Sequence, residues 1–192
     1  MLILASSSPR RAELLREKGY DFHIFPAGVD ESLPSFIPPE EGVQTLAMRK
    51  ALTAAQMWRE QGGDLQDVVL GADTLVVLDR CPLGKPEDND EARRMLWALS
   101  NRSHKVCTGI ALVRLNGDRE CGRVDTQVTF RKLSPAEIDC YVESGEPMDK
   151  AGAYGIQGEA RRFVEEVDGS ISNVIGLPME YLGERLKAWG ID

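Results

Sequence analysis

Residues 2–11 read Leu2-Ile3-Leu4-Ala5-Ser6-Ser7-Ser8-Pro9-Arg10-Arg11. Four apolar residues in a row read as a short buried strand, and three small polar residues end it. Pro9 stands where a helix accepts proline best, at its first position, with Ser8 before it. Leu14 and Leu15 give that helix an apolar face, and Gly19 stops it. A strand that runs through a polar turn into a helix is the opening of an α/β unit.

The rest of the chain keeps to this scheme. Residues 30–39 carry Pro34, Pro38 and Pro39 and read as a surface loop. Val43, Leu46, Ala47, Lys50, Ala54 and Met57 recur at helical spacing over residues 40–61. Residues 68–70 and 75–78 read as two strands, with Gly71-Ala72-Asp73-Thr74 at the end of the first. Asp88-x-x-Glu91 resembles a capping box ahead of Ala92, Met95, Leu96 and Leu99. Residues 107–115 and 126–130 read as strands, and Ser134-Pro135-Ala136-Glu137 opens a further helix. Residues 144–162 are Gly-rich and read as a long loop or lid. Residues 163–167 and 171–175 read as a strand pair around Asp168-Gly169, and a last helix follows Gly176-Leu177-Pro178. Strands interleaved with helices predict an α/β fold with a mixed sheet, and the length predicts one domain over residues 1–192.

The composition bounds the function. The 192 residues include 23 Lys+Arg against 31 Asp+Glu, a formal net charge of −8. That field repels polyanions, which excludes a protein that coats nucleic acid or an anionic membrane surface. A small anion is still admissible if a local basic pocket or a metal ion receives it. No apolar run reaches the roughly 18–20 residues of a membrane span, and no signal-peptide pattern opens the chain. Cys81, Cys107, Cys121 and Cys140 form no C-x-x-C pair. Four reduced thiols in a cytoplasmic protein is the expectation.

Five segments carry chemistry. The Ser6-Ser7-Ser8-Pro9 turn leads unpaired helix N–H groups towards solvent, a ready phosphate site, and Arg10 and Arg11 add multi-donor cations. Successive helix residues point about 100° apart, so the two arginines divide their work: one for a ligand, the other for the protein. The plain alternative is a capped helix with two solvated arginines. Lys50 sits on an apolar stripe and needs a partner or a ligand, unless it snorkels to solvent. Asp73, inside an apolar run, is suited to hold Mg²⁺ or orient a water, or simply to cap a turn. Glu31 of Asp30-Glu31 offers a second carboxylate, though an exposed acidic pair is the blander reading. Lys85, fixed extended before Pro86, projects an amine from the Gly84-Lys85-Pro86 loop. In residues 150–158 small residues let backbone approach a ligand, Tyr154 is placed to stack or hydrogen-bond, and Gln157 to read a base edge. His23 and His104 have no ligand spacing and read as structural. The P-loop and dinucleotide-binding fingerprints are both missing from the sequence.

In this order the chain carries Ser-x-Ser-Pro-Arg-Arg, Gly-Ala-Asp-Thr-x-Val, Gly-Lys-Pro, Glu-Pro-x-Asp-Lys-Ala-Gly-Ala-Tyr-Gly-Ile-Gln-Gly and Gly-Leu-Pro. It resembles the Maf family of nucleoside triphosphate pyrophosphatases from Leu2 to about Leu186. Asp-Thr after Gly-Ala, together with the Gly-rich loop, resembles the dTTP/UTP branch. The resemblance implies a mixed twisted sheet flanked by helices, in two lobes with a substrate cleft, akin to inosine-triphosphate pyrophosphatases. It implies Asp73 as proton acceptor, and Arg10, Thr74 and Gln157 as nucleotide-selecting positions. Ser7, Arg11, Lys50 and Lys85 fall to the phosphates, and Asp73 with Glu31 to a divalent metal, Mg²⁺ or Mn²⁺. A homodimer is also implied. The alternatives are a 7-methyl-GTP or inosine-triphosphate pyrophosphatase, or a nucleotide-binding regulator of septum formation without turnover. Asn101-Arg102-Ser103-His104 departs mildly from the family's Gly-x-Thr-His, away from these positions.

Overall fold

A computed structural model describes residues 1–34 and 37–192. The strand–turn–helix at the start is as the sequence implies. β1 (Leu2–Leu4) is fully buried, and Pro9 opens α1 (Pro9–Glu17). β2 (Phe22–Ile24) then lies parallel to β1 at the sheet edge. α2 (Pro39–Glu60) begins beyond the loop predicted for residues 30–39, part of which falls outside the described residues.

The first correction concerns the next segment. Residues 68–78 form one unbroken strand, β3 (Val68–Leu78), so Asp73 lies at mid-strand and not at a strand end. The physical reason is its partner. β5 (Ser103–Arg114) pairs with it antiparallel without a break, Gly71 opposite Ala111 and Asp73 opposite Gly109. Continuous pairing carries the polar residues through a stretch whose side-chain pattern reads as a turn. β4 (Cys81–Leu83) folds back on the far end of β3, and α3 (Asn89–Leu99) follows. The Asp88 carboxylate caps α3 by accepting from Glu91 N, whereas Glu91 Oε2 accepts from Glu87 N one residue outside the box position.

β5 and β6 (Arg119–Phe130) are also longer than the two stretches read as strands. Ser134 and Glu137 make the full reciprocal capping box that starts α4 (Pro135–Glu143). Residues 144–162 form no open loop: they are mostly three 3-10 turns, Glu146–Asp149, Ala151–Ala153 and Glu159–Phe163. The predicted partner of β7 (Val164–Asp168) is instead a short helix, α5 (Ile171–Ile175). The Ser170 side chain accepts from Asn173 N, and the buried Asn173 Nδ2 donates to Val106 O and Thr126 Oγ1 at 3.0 Å each. Those bonds need a helical turn, and they override the β-propensity of isoleucine and valine. α6 (Met179–Ala188) ends the fold.

The sheet runs β2-β1-β3-β5-β6-β7, parallel over its first three strands and antiparallel thereafter. Alternation along β3 divides the core. Val68, Leu70 and Ala72 face Leu15, Leu182 and Leu186 of α1 and α6, while Val69 faces Ala47, Ala51 and Ala54 of α2. A separate cluster at the other end joins Leu96 and Leu99 to Tyr141, Phe130 and Phe163. The two lobes therefore share their longest strands, and a cleft lies over the middle.

His104 is structural, as expected. Its Nε2 lies 2.7 Å from the Tyr154 hydroxyl, so Tyr154 is turned into the core. Burial pushes the imidazole pKa down from 6.5 to about 4. The folded pKa is depressed, so the neutral ring's contribution is complete above about pH 6.5 and lost as pH falls towards 4. Wild-type stability should therefore fall by about 2 kcal/mol between roughly pH 7 and pH 5 from this group alone. Urea midpoints at the two pH values, compared with His104→Gln, check this: the variant should lose that share of the pH dependence.

Candidate active site

All nine residues singled out from the sequence line one cavity of about 910 Å³: Ser7, Arg10, Arg11, Glu31, Lys50, Asp73, Thr74, Lys85 and Gln157. Folding gathers them from the β1–α1 turn, the first turn of α1, the segment before α2, α2 itself, β3, the β4–α3 connection and the Gly-rich segment.

Asp73 follows Val69 and Gly71 on the face of β3 that meets α2. Two glycines make its setting. A Cβ at Gly71 would overlap Ala47 O and stand 2.8 Å from Ala51 N. A Cβ at Gly109, directly across from Asp73, would overlap Val43 O and stand 2.7 Å from Gln44 N. The helix thus rests on bare strand backbone, closer than any side chain would allow. From that position Lys50 Nζ reaches Asp73 Oδ1 at 2.7 Å and Glu31 Oε1 at 2.7 Å. Its side chain is only 14% exposed, so Lys50 is partnered and does not snorkel. The carboxylates differ: Asp73 is 15% exposed and Glu31 63%. Burial raises the Asp73 pKa, against the pull of Lys50 and Arg11. The hydrogen bond from Lys50 lowers that of Glu31. Arg49, which the sequence reading passed over, donates to the carbonyls of Asp30 and Ser32, the latter at 3.0 Å, and so holds the arm that delivers Glu31.

The two arginines have different partners within the protein. Arg11 gives Nε to Gly176 O at 2.8 Å, Nη1 to Ala72 O at 2.9 Å and Ser6 Oγ at 3.1 Å, and Nη2 to Thr74 Oγ1 at 3.1 Å. It ties the β1–α1 turn, β3 and the α5–α6 turn together beneath the cavity. Arg10 stands in the wall, 3.0 Å from Asp149 Oδ2. Thr74 points away from α2 and also meets Thr108 Oγ1 at 3.0 Å. No side chain caps the N-terminus of α1, so its first-turn N–H groups are left to the cavity with Ser7. Lys85 and Gln157 are exposed at the rim.

Such a site is a cradle for a phosphorylated small molecule: a free helix N-terminus, cations on several sides and a buried carboxylate at the floor. The fold itself has solved counterparts. The HAM1 protein from Coxiella burnetii is similar with a TM-score of 0.54 at 18% identity, over 97% of this chain and 98% of that one. The Ham1 protein of Staphylococcus aureus gives 0.52 at 14% identity, over 97% and 98%. The Maf-like protein family matches residues 1–189, and the chain belongs to that family. Among its relatives, a dTTP/UTP pyrophosphatase of Desulfitobacterium hafniense is 54% identical over all of this chain and 86% of that protein. One of Moorella thermoacetica is 46% identical over 100% and 96%.

Proposed function

We propose that this protein hydrolyses dTTP and UTP to the nucleoside monophosphate and pyrophosphate, as a cytoplasmic enzyme with one catalytic domain over residues 1–192. The Lys50-bridged pair Asp73 and Glu31, set beside the uncapped end of α1, is the observation that carries it. Water attacks the α-phosphorus, its bond to the α–β bridging oxygen breaks, and pyrophosphate leaves with the electron pair. Asp73 orients the attacking water and accepts its proton. Lys50 keeps the buried carboxylate ionised for that task. Charge spreads over phosphoryl oxygens in the transition state, and the α1 N–H groups, Ser7, Arg10, Lys50 and Lys85 stabilise it. Arg11 contributes from below as a fixed positive charge. Thr74 and Gln157 select the pyrimidine, the amide of Gln157 pairing with its O4/N3–H edge.

The family resemblance brings in a divalent metal, and the donor set suits one. Two carboxylate oxygens share one nitrogen neighbour at 2.7 Å each, and among the described residues no hydrogen bond reaches Asp73 Oδ2 or Glu31 Oε2. Hard oxygen donors of this kind hold Mg²⁺ or Mn²⁺. Among the described residues no group of three or more carboxylates, thiols or imidazoles is placed to hold a metal, so Asp73 and Glu31 are the two protein groups that would hold it. When bound, the metal neutralises triphosphate charge. A homodimer belongs to the same proposal; among the described residues β7 pairs β6 only from Gln127 on, which leaves the rest of that edge without a strand partner.

The test is pyrophosphate release across common, 7-methyl, inosine and modified pyrimidine triphosphates, with Mg²⁺, Mn²⁺ or chelator. Release should be fastest with dTTP and UTP and fall to background with chelator. Release from none of them would leave a binding protein in its place. Preference for 7-methyl-GTP or inosine triphosphate would move the chain to a sister activity.

A further inference from the structure

We infer that Glu146 is a positioning residue for substrate selection, acting through Gln157. The inference rests on the reading of Gln157 given above. Glu146 opens the first 3-10 turn of the Gly-rich segment and points back beneath the turn that carries Gln157. Its Oε2 accepts from Glu159 N at 3.1 Å, and its Oε1 accepts from the Tyr141 hydroxyl at 3.0 Å. Tyr141 is wholly buried, so the carboxylate is anchored to the α4 core and not to solvent.

Two glycines record how close the contact is. A Cβ at Gly158 would overlap the Glu146 carboxylate. A Cβ at Gly155 would stand 2.6 Å from Lys150 Cε. Lys150 Nζ in turn donates to Glu146 O and to Asp149 Oδ1, both at 2.6 Å, and Asp149 receives Arg10. Residues 155–158 are thus seated on two side chains without steric slack. The same chain of bonds ends on Arg10 in the cavity wall. A polar reader such as Gln157 discriminates only while it is held in place, because a mobile amide satisfies wrong partners as well as right ones. Nothing in the geometry of Gln157 itself supplies that rigidity: it is exposed at the rim.

The experiment measures kcat/KM for UTP against GTP, with kcat and KM resolved separately, in wild type, Gln157→Ala, Glu146→Ala, Glu146→Gln and the Ala/Ala double variant. Glu146→Ala should lower the UTP/GTP ratio by about tenfold, mostly through KM, and the double variant should be no worse than Gln157→Ala alone. Glu146→Gln should restore the ratio, because its amide oxygen can accept from Glu159 N while its NH₂ donates to the Tyr141 hydroxyl. Gly158→Ala keeps the Glu146 side chain but pushes its carboxylate off the same seat, and should lose discrimination even if Glu146→Ala folds poorly. If Gln157→Ala lowers the ratio while Glu146→Ala and Gly158→Ala keep it, the positioning role is wrong. Losses that multiply in the double variant would also overturn it. A Gln157→Ala enzyme with unchanged preference would instead remove the reading of Gln157, and this inference with it.

Discussion

Asp73→Asn should lose about 10³-fold in kcat while melting at or above the wild-type temperature. The loss of turnover follows from the proton-accepting role proposed for Asp73, and the retained stability from its burial. Burial raises the Asp73 pKa, so the folded state binds that proton more tightly than the unfolded chain does. Taking a charged carboxylate out of water costs free energy, and the amide relieves that cost while filling the same space. Lys50 keeps Glu31 as a partner in the variant. An activity-bearing group that costs stability is a common trade at catalytic sites. Turnover near wild type would remove Asp73 from its role. A melting temperature several degrees lower, with activity lost in step, would make it a structural group.

The second large effect comes from a residue with no side chain. Gly71→Ala and Gly109→Ala should each destabilise by about 3 kcal/mol or more and abolish most activity. The added methyl meets helix backbone in both cases: Ala47 O and Ala51 N, or Val43 O and Gln44 N. Backbone cannot rotate aside as a side chain can, so α2 must lift from the sheet. Lys50 would then move off Asp73, and the cleft would lose its charge pairing before the fold is lost. Gly28→Ala is the control, because nothing lies within 4 Å of its Cβ position. It should change stability by no more than about 0.5 kcal/mol. Denaturant midpoints with kinetics on the folded fraction separate the two effects. Wild-type stability in Gly109→Ala would show that the helix has room to yield.

Much of this was legible in the residues. Pro9 after the serines, Lys50 on an apolar stripe and the Ser134–Glu137 box each rest on local chemistry, and each stands in the structure. What could not be read is what partners impose. Asp73 reads as a strand end because Gly71 and Asp73 both have low strand preference; pairing with β5 holds them extended. Residues 171–175 read as a strand because isoleucine and valine favour one, while the helix is held by Asn173 bonding into β5 and β6. Gly109 has no local signature at all: its role exists only once α2 lies across it. Glu31 looked like one of an exposed pair. It is exposed, and what gives it a place is a distant lysine together with Arg49 at the base of its arm.

The floor of the cleft has a mechanical consequence. β3 and β5 run uninterrupted from one lobe to the other, with ten consecutive residues of β3 in register. A hinge between the lobes would have to bend or break that ladder, so closure around substrate cannot be a rigid swing of one half against the other. With the Gly-rich segment seated on Glu146 and Lys150, movement is left to the arm that bears Glu31, which is 63% exposed. Asp73 and Thr74, both on β3, then keep their places relative to α2, and adjustment to a bound molecule falls to the arm alone.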